Sequence, residues 1–162
     1  MRVLGIDPGT RRTGWGVVEA RGSRMIHLAS GIAPGVGDCL AERLVAIADV
    51  LDEVVRTHAP QAMSVETLFH AKNAQSALKL GHARGVALLC AARSGVQVFE
   101  YTAGQIKQAA TGRGRAEKTQ VQMMVRMILS IDQEMELDTS DALAAAICHL
   151  QWADSPALGA RG

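Results

Sequence analysis

Four carboxylates in three short motifs carry the chemistry open to this sequence: Asp7 in GIDPGT, Glu66 in SVET, and Asp138 with Asp141 in DTSDALA. Carboxylate oxygens are the ligands that hard divalent cations such as Mg2+ prefer. Two such cations about 4 Å apart activate a water on one side of a phosphorus and stabilise the leaving oxygen on the other. A metal-dependent phosphodiesterase therefore needs acids converging from distant parts of the chain, one of them able to bridge both ions. These motifs are placed to supply that set.

Each acid also has a plainer reading. Asp-Pro-Gly is a common turn composition, so Asp7 alone could be turn chemistry. Glu66 follows the apolar run Ala62–Val65, where a carboxylate suffers desolvation unless it meets cations or donors, but it also fits the polar start of a loop. Asp138 and Asp141 share a face at a helix start, a place that acids also favour through capping and the helix dipole. The combination with cations and an aromatic lifts the four together. Between residues 101 and 120, Lys107, Arg113, Arg115 and Lys118 face only one acid, Glu117. Gly112 and Gly114 let that loop approach phosphates closely. Phe69, in TLFHAKN directly after Glu66, is placed where a base could stack on it, and His70 and Lys72 beside it are candidate DNA contacts. GRGRAEKT imitates a phosphate-binding P-loop, but Glu117 occupies the place of the glycine and would repel phosphate. No histidine pair has zinc spacing on a helix turn, and no G-x-S-x-G elbow occurs.

The elements that must position these groups follow from periodicity. Residues 2–7, about 13–20 and 24–32 read as an antiparallel meander. Leu40, Leu44, Ile47, Leu51, Val54 and Val55 recur at helical spacing before Pro60. Residues 62–65 form a short buried strand that delivers Glu66 at its C-terminal edge. A long helix is expected over about 72–92, a strand over 97–101, helices near 103–110 and 116–129, and a last helix over 138–152. A meander followed by strands alternating with helices is an α/β domain with a mixed sheet.

At 162 residues the chain fits one domain, assigned to residues 1–153, with 154–162 (DSPALGARG) as a flexible tail. The absence of a long apolar run or a signal-like start predicts a cytosolic protein with no membrane association. Cys39, Cys90 and Cys148 form no metal or disulfide spacing and are expected as buried thiols. The net charge of +1 leaves room for a local nucleic-acid patch.

These residues resemble the RuvC family, the bacterial Holliday-junction resolvases with a ribonuclease-H-like fold, over about residues 2–152. GIDPGTRRTGWGVVE is similar to the family's first strand pair, ETLFHAKNAQSALKLGHARGVAL to its second acid and long helix, VFEYTAGQIKQAATGRGRAEKTQVQMMV to its basic region, and DTSDALAAAICH to its last acidic pair. The resemblance implies that Asp7, Glu66, Asp138 and Asp141 hold two ions, Mg2+ or Mn2+, with Asp7 between them. Some members carry histidine at the third acid, where this chain has Asp138. It further implies that Lys107 and Lys118 bind DNA near the cleaved phosphate, that Lys118 stabilises charge there, and that Phe69 stacks at the opened junction centre.

By the same resemblance the enzyme is a twofold homodimer, matching the symmetry of a four-way junction, and makes paired nicks that leave 5'-phosphate and 3'-hydroxyl ends. The helix from Asn73 to Arg93, with Gly81 and Gly85 four apart, is the candidate dimer surface. RuvA and RuvB branch-migration proteins are the implied partners. Arg113 and Arg115 make the loop more basic than expected for the family, and residues 132–136 (DQEME) are unusually acidic. An actin-like phosphotransferase needs a second lobe for which the length leaves little room. A module that binds branched DNA without cutting it should lack one of the acids, and all four are present. A related family acting on ribosomal RNA fits the middle and basic blocks less well.

Overall fold

The structure, a computed structural model, describes residues 1–67 and 74–153. Its elements are β1 (Arg2–Asp7), β2 (Arg12–Arg21), β3 (Arg24–Pro34), α1 (Leu40–His58), β4 (Ala62–Glu66), α2 (Ala74–Arg93), β5 (Gln97–Tyr101), α3 (Ala103–Thr111), α4 (Lys118–Leu129) and α5 (Leu137–Ala153). The strands form one sheet in the order β3-β2-β1-β4-β5, antiparallel across β3-β2-β1 and parallel across β1-β4-β5. The expected meander and the mixed sheet are both present, and element ends fall within about two residues of the sequence reading.

Side chains on a strand alternate between faces, so each strand divides its residues between two cores. Leu4, Ile6, Val17, Met63 and Val65 point to one face, where they pack with Ile47, Leu51, Val54 and Val55 of α1 and Ala87, Cys90 and Ala91 of α2. Val3, Val18, Ala62 and Tyr101 point to the other, against α5 and residues of α3 and α4. On this second face the positions next in alternation are small. A Cβ at Gly5 would stand 1.9 Å from the backbone oxygen of Ala142, so only glycine lets α5 lie so close to β1. Ser64 is buried there and donates its hydroxyl to the Ala145 oxygen at 2.7 Å. The alanines of α5 complete the close approach: Ala142, Ala144, Ala145 and Ala146 are all buried. Short side chains on both partners thus seat α5 nearly on the strand backbones, and its first turn falls at the C-terminal end of β1.

Two thiols are buried as expected, and burial pushes both Cys90 and Cys148 up to about 12, leaving them inert. Cys39 is exposed, contrary to expectation. It occupies the N-cap of α1, one residue outside the helix, and so faces solvent instead of the apolar stripe that begins at Leu40. The Glu42 carboxylate caps that end by accepting from the Asp38 and Cys39 amides at 2.7 and 3.3 Å. Among the described residues no helix is long and apolar enough to cross a membrane. The segment 154–162 lies outside the described residues, as do Phe69, His70 and Lys72.

Candidate active site

Asp7 ends β1 and Glu66 ends β4. Because Ile6 aligns with Val65 in the parallel ladder, the next pair brings Asp7 beside Glu66. Both belong to the α5 face by alternation, following Gly5 and Ser64 respectively. The turn after Asp7 is held by Thr13, whose hydroxyl donates to the Gly9 oxygen at 2.8 Å and accepts from the Gly9 amide at 3.2 Å. Beyond Glu66, the Thr67 amide donates to the Tyr101 oxygen at 2.8 Å. The Tyr101 hydroxyl in turn meets Nδ1 of buried His149 at 2.8 Å, tying the end of β5 to α5.

From the other side, the first turn of α5 brings Asp138 and Asp141. A Cβ at Gly14 would stand 2.1 Å from the backbone oxygen of Asp138, so β2 also yields space for this turn. Asp138 accepts a hydrogen bond from Arg12 Nε at 3.1 Å, and the same guanidinium pairs with Glu136. Lys118, the first residue of α4, places Nζ 2.7 Å from Asp141 Oδ2.

The electrostatics report the convergence. Burial, then the charges of Asp141 and Asp138, push the Asp7 carboxyl up to about 7, with Lys118 opposing and Glu66 adding to the rise. Glu66 is raised by burial and by Asp141, and is lowered by Lys118 and Lys107. The Lys118 ammonium is raised chiefly by its hydrogen bond to Asp141. Four acids from β1, β4 and α5, with Lys118 and Lys107 beside them, thus occupy one locality. Burial, with the negative charge around it, thus favours the protonated form of Asp7 relative to a free carboxyl.

This donor set suits a divalent cation: every candidate ligand is a hard oxygen, and the charge that raises Asp7 is charge a metal would neutralise. Among the described residues no three acidic, imidazole or thiol groups stand together as a ready-made cage. Two of the four carboxylates are instead turned to side-chain cations, Asp138 to Arg12 and Asp141 to Lys118.

Lys107 lies half-buried on α3, while Arg113 and Arg115 are exposed on the turn between α3 and α4. Gly112 closes α3 in the left-handed conformation, at φ 74°, which turns the chain into that loop. Glu117 is the N-cap of α4. Arg12 was not singled out by the sequence. Its partners Glu136 and Asp138 lie more than 120 residues away, and only the doubled arginine after GIDPGT hinted at a basic group there. The acidic segment before α5 acquires a role through the same pairing, since Glu136 shares Arg12 with Asp138.

A sheet that meanders and then runs parallel, with acids at the ends of its central strands and at the start of a helix laid across them, is that of a ribonuclease-H-like nuclease. Residues 3–149 match the family model described as crossover junction endodeoxyribonuclease RuvC, and the chain belongs to that family. It is 53% identical over 150 residues to the crossover junction endodeoxyribonuclease RuvC of Syntrophotalea carbinolica, covering 92% of this chain and 93% of the relative. The RuvC of Geobacter sp. strain M21 is 48% identical over 159 residues, covering 98% of this chain and 97% of the relative. Among solved structures, Thermus thermophilus RuvC in complex with a Holliday junction substrate superposes with TM-score 0.89 at 35% identity, over 94% of each chain. The yeast mitochondrial Holliday junction resolvase Ydc2 shares the fold, with TM-score 0.62 at 11% identity over 93% of this chain and 79% of that one.

Proposed function

We propose that this endonuclease resolves four-way DNA junctions by paired, symmetric nicks that leave 5'-phosphate and 3'-hydroxyl ends, using two Mg2+ or Mn2+ ions held by Asp7, Glu66, Asp138 and Asp141. The observation that carries the reading is the convergence of four carboxylates from β1, β4 and the first turn of α5, with Lys118 paired to Asp141 beside them. When bound, the two ions supply Lewis acidity on both sides of the phosphorus. The remaining work falls to the protein's own groups. Asp7, central among the acids, would hold the ions in its ionised form together with Glu66, Asp138 and Asp141. Lys118 holds Asp141 in place and sets positive charge where the phosphate gains negative charge in the transition state. Lys107, Arg113 and Arg115 neutralise backbone phosphates, Phe69 stacks at the junction centre, and His70 and Lys72 contact the DNA beside it.

The pairing of nicks calls for two copies. On α2, Leu78, Gly81, Gly85 and Leu89 fall on one stripe, at offsets of 3, 7 and 11 from Leu78. Leu78 and Leu89 are 64% and 50% exposed, and a Cβ added at Gly81 or Gly85 would meet nothing within 4 Å. An isologous dimer across this stripe would present one active site to each of two like strands. Cooperation with RuvA and RuvB in the bacterial cytoplasm belongs to the same reading.

The test is a labelled four-way junction beside a matched linear duplex, with Mg2+, Mn2+ or EDTA, resolved on a denaturing gel. Metal-dependent paired nicks confined to the junction are expected, and Asp7→Asn should bind junction but leave it uncut. Near-normal cutting by that variant would remove Asp7 from its role, and binding without nicks across varied junction sequences would make the protein a binding module.

A further inference from the structure

On the face of the sheet away from α5, the turn after Asp7 walls an open cavity of about 460 Å3 with the start of α1 and with α2. Its lining is Gly9, Thr10, Arg11, Arg12, Leu40, Arg43 and Lys79. Four of these seven residues are cationic and none is acidic or aromatic. Arg43 Nε is buried and has no hydrogen-bond partner among the described residues, which leaves a desolvated donor on a charged group uncompensated there. Such a lining lacks only an anion with several acceptor oxygens.

Arg12 fixes where this cavity stands relative to the chemistry. The residue that lines the cavity also donates to Asp138 in the acid cluster, so the two places share one side chain. Lys107 and Lys118 act on the acids from the side of α3 and α4, whereas Arg43 and Lys79 line the cavity from α1 and α2. Arg12 is the side chain that joins the cavity to the acid cluster. We propose that the Arg11–Arg43–Lys79 cavity binds a backbone phosphodiester of the substrate DNA displaced from the scissile one, so that the strand is gripped on both sides of the cut. This rests on the nuclease reading above, and the cavity's share is separable from it. Arg43 Nε and the Arg11 guanidinium would donate to the non-bridging oxygens, and Lys79 would add a point charge.

Binding of a four-way junction and of a linear duplex is measured in Ca2+ across a salt series, for the wild type, Arg43→Gln, Lys79→Gln and the pair. The slope of log affinity against log salt should shallow by about 0.9 for each phosphate that the variant no longer neutralises. In Mg2+ the effect should fall on KM more than on kcat, and Arg43→Lys should recover the slope without all the affinity. An unchanged slope in a double variant that melts like the wild type overturns the proposal. So does a site that binds inorganic phosphate through Arg43 while leaving the DNA slope untouched. A wild type that nicks no junction sinks the function instead, and the duplex slopes still decide the cavity. Lys79 is exposed, so its variant keeps the test alive if Arg43→Gln fails to fold.

Discussion

On one face of the sheet Gly5, Gly14, Gly16 and Ser64 let α5 lie against the strands, while on the other Leu4, Ile6, Met63 and Val65 meet α1 and α2 with full-sized side chains. At Gly5 and Gly14 the first arrangement sets backbone against backbone, with nothing there that can rotate out of the way. The second depends on side chains that can repack. The acids of the candidate site are delivered by the first: two from strand ends and two from the helix seated on them. Position is set where the packing cannot give, and apolar bulk is placed where small losses cost only stability.

The contrast is broken most severely by Gly5→Ala. Its Cβ would overlap the Ala142 oxygen, so α5 must lift, with an expected loss of more than about 3 kcal/mol and of cleavage in whatever protein remains folded. Denaturant melts and junction cutting at low temperature check both halves. A variant that cuts normally would show that α5 can move without disturbing Asp138 and Asp141. On the other face, Leu51→Ala should cost about 3 kcal/mol, within the range of roughly 2–5 for such deletions, yet leave cutting per folded molecule near wild type. If Leu51→Ala suppressed cutting as strongly as Gly5→Ala, the two faces would not differ in the way described.

A third prediction concerns charge on the rigid face. The folded Asp7 carboxyl titrates near 7, above its ordinary 3.8, so folding favours its protonated form. That contribution is full below about 4 and is lost as pH rises through 7, where the metal-free protein must ionise a carboxyl among other acids. Asp7→Asn should therefore raise metal-free stability at pH 8, by about 2 kcal/mol, and have little effect at pH 4. Thermal melts in EDTA across pH read this directly, and equal melting shifts at both pH values would contradict it. The smallest effect belongs to Arg12→Gln. Freeing Asp138 from its guanidinium should tighten Mn2+ binding by about threefold, or roughly 0.7 kcal/mol, in keeping with a partly exposed pair. Calorimetric titration that found weaker binding would make Arg12 a support for Asp138, not its competitor.

The strands and helices were legible because alternation in RVLGID and helical spacing in Leu40–Val55 are local signals. The four acids were legible as a set because each sits where an apolar run ends or a helix begins. The glycines that bring α5 to the sheet were visible only as strand interruptions, since their purpose depends on a helix more than 120 residues later. Arg12's attachment to Glu136 and Asp138 and the cavity around Arg43 were illegible for the same reason: ion pairs and concavities belong to tertiary neighbours, and no spacing rule links them. The Cys39 expectation failed at a helix boundary, where one residue decides between core and solvent.

The docking of α5 onto β1 and β2 also sets a timetable. During synthesis the strand bearing Asp7 emerges well over a hundred residues before the helix bearing Asp138 and Asp141, an interval of roughly ten seconds at ordinary elongation rates. Until then the glycine-lined face of the sheet has no cover, and its closing contacts are among the longest in sequence separation that the chain makes, which slows the final step of folding. A partly made chain therefore holds only Asp7 and Glu66 of the four acids proposed to bind metal, and the set is completed only when α5 docks.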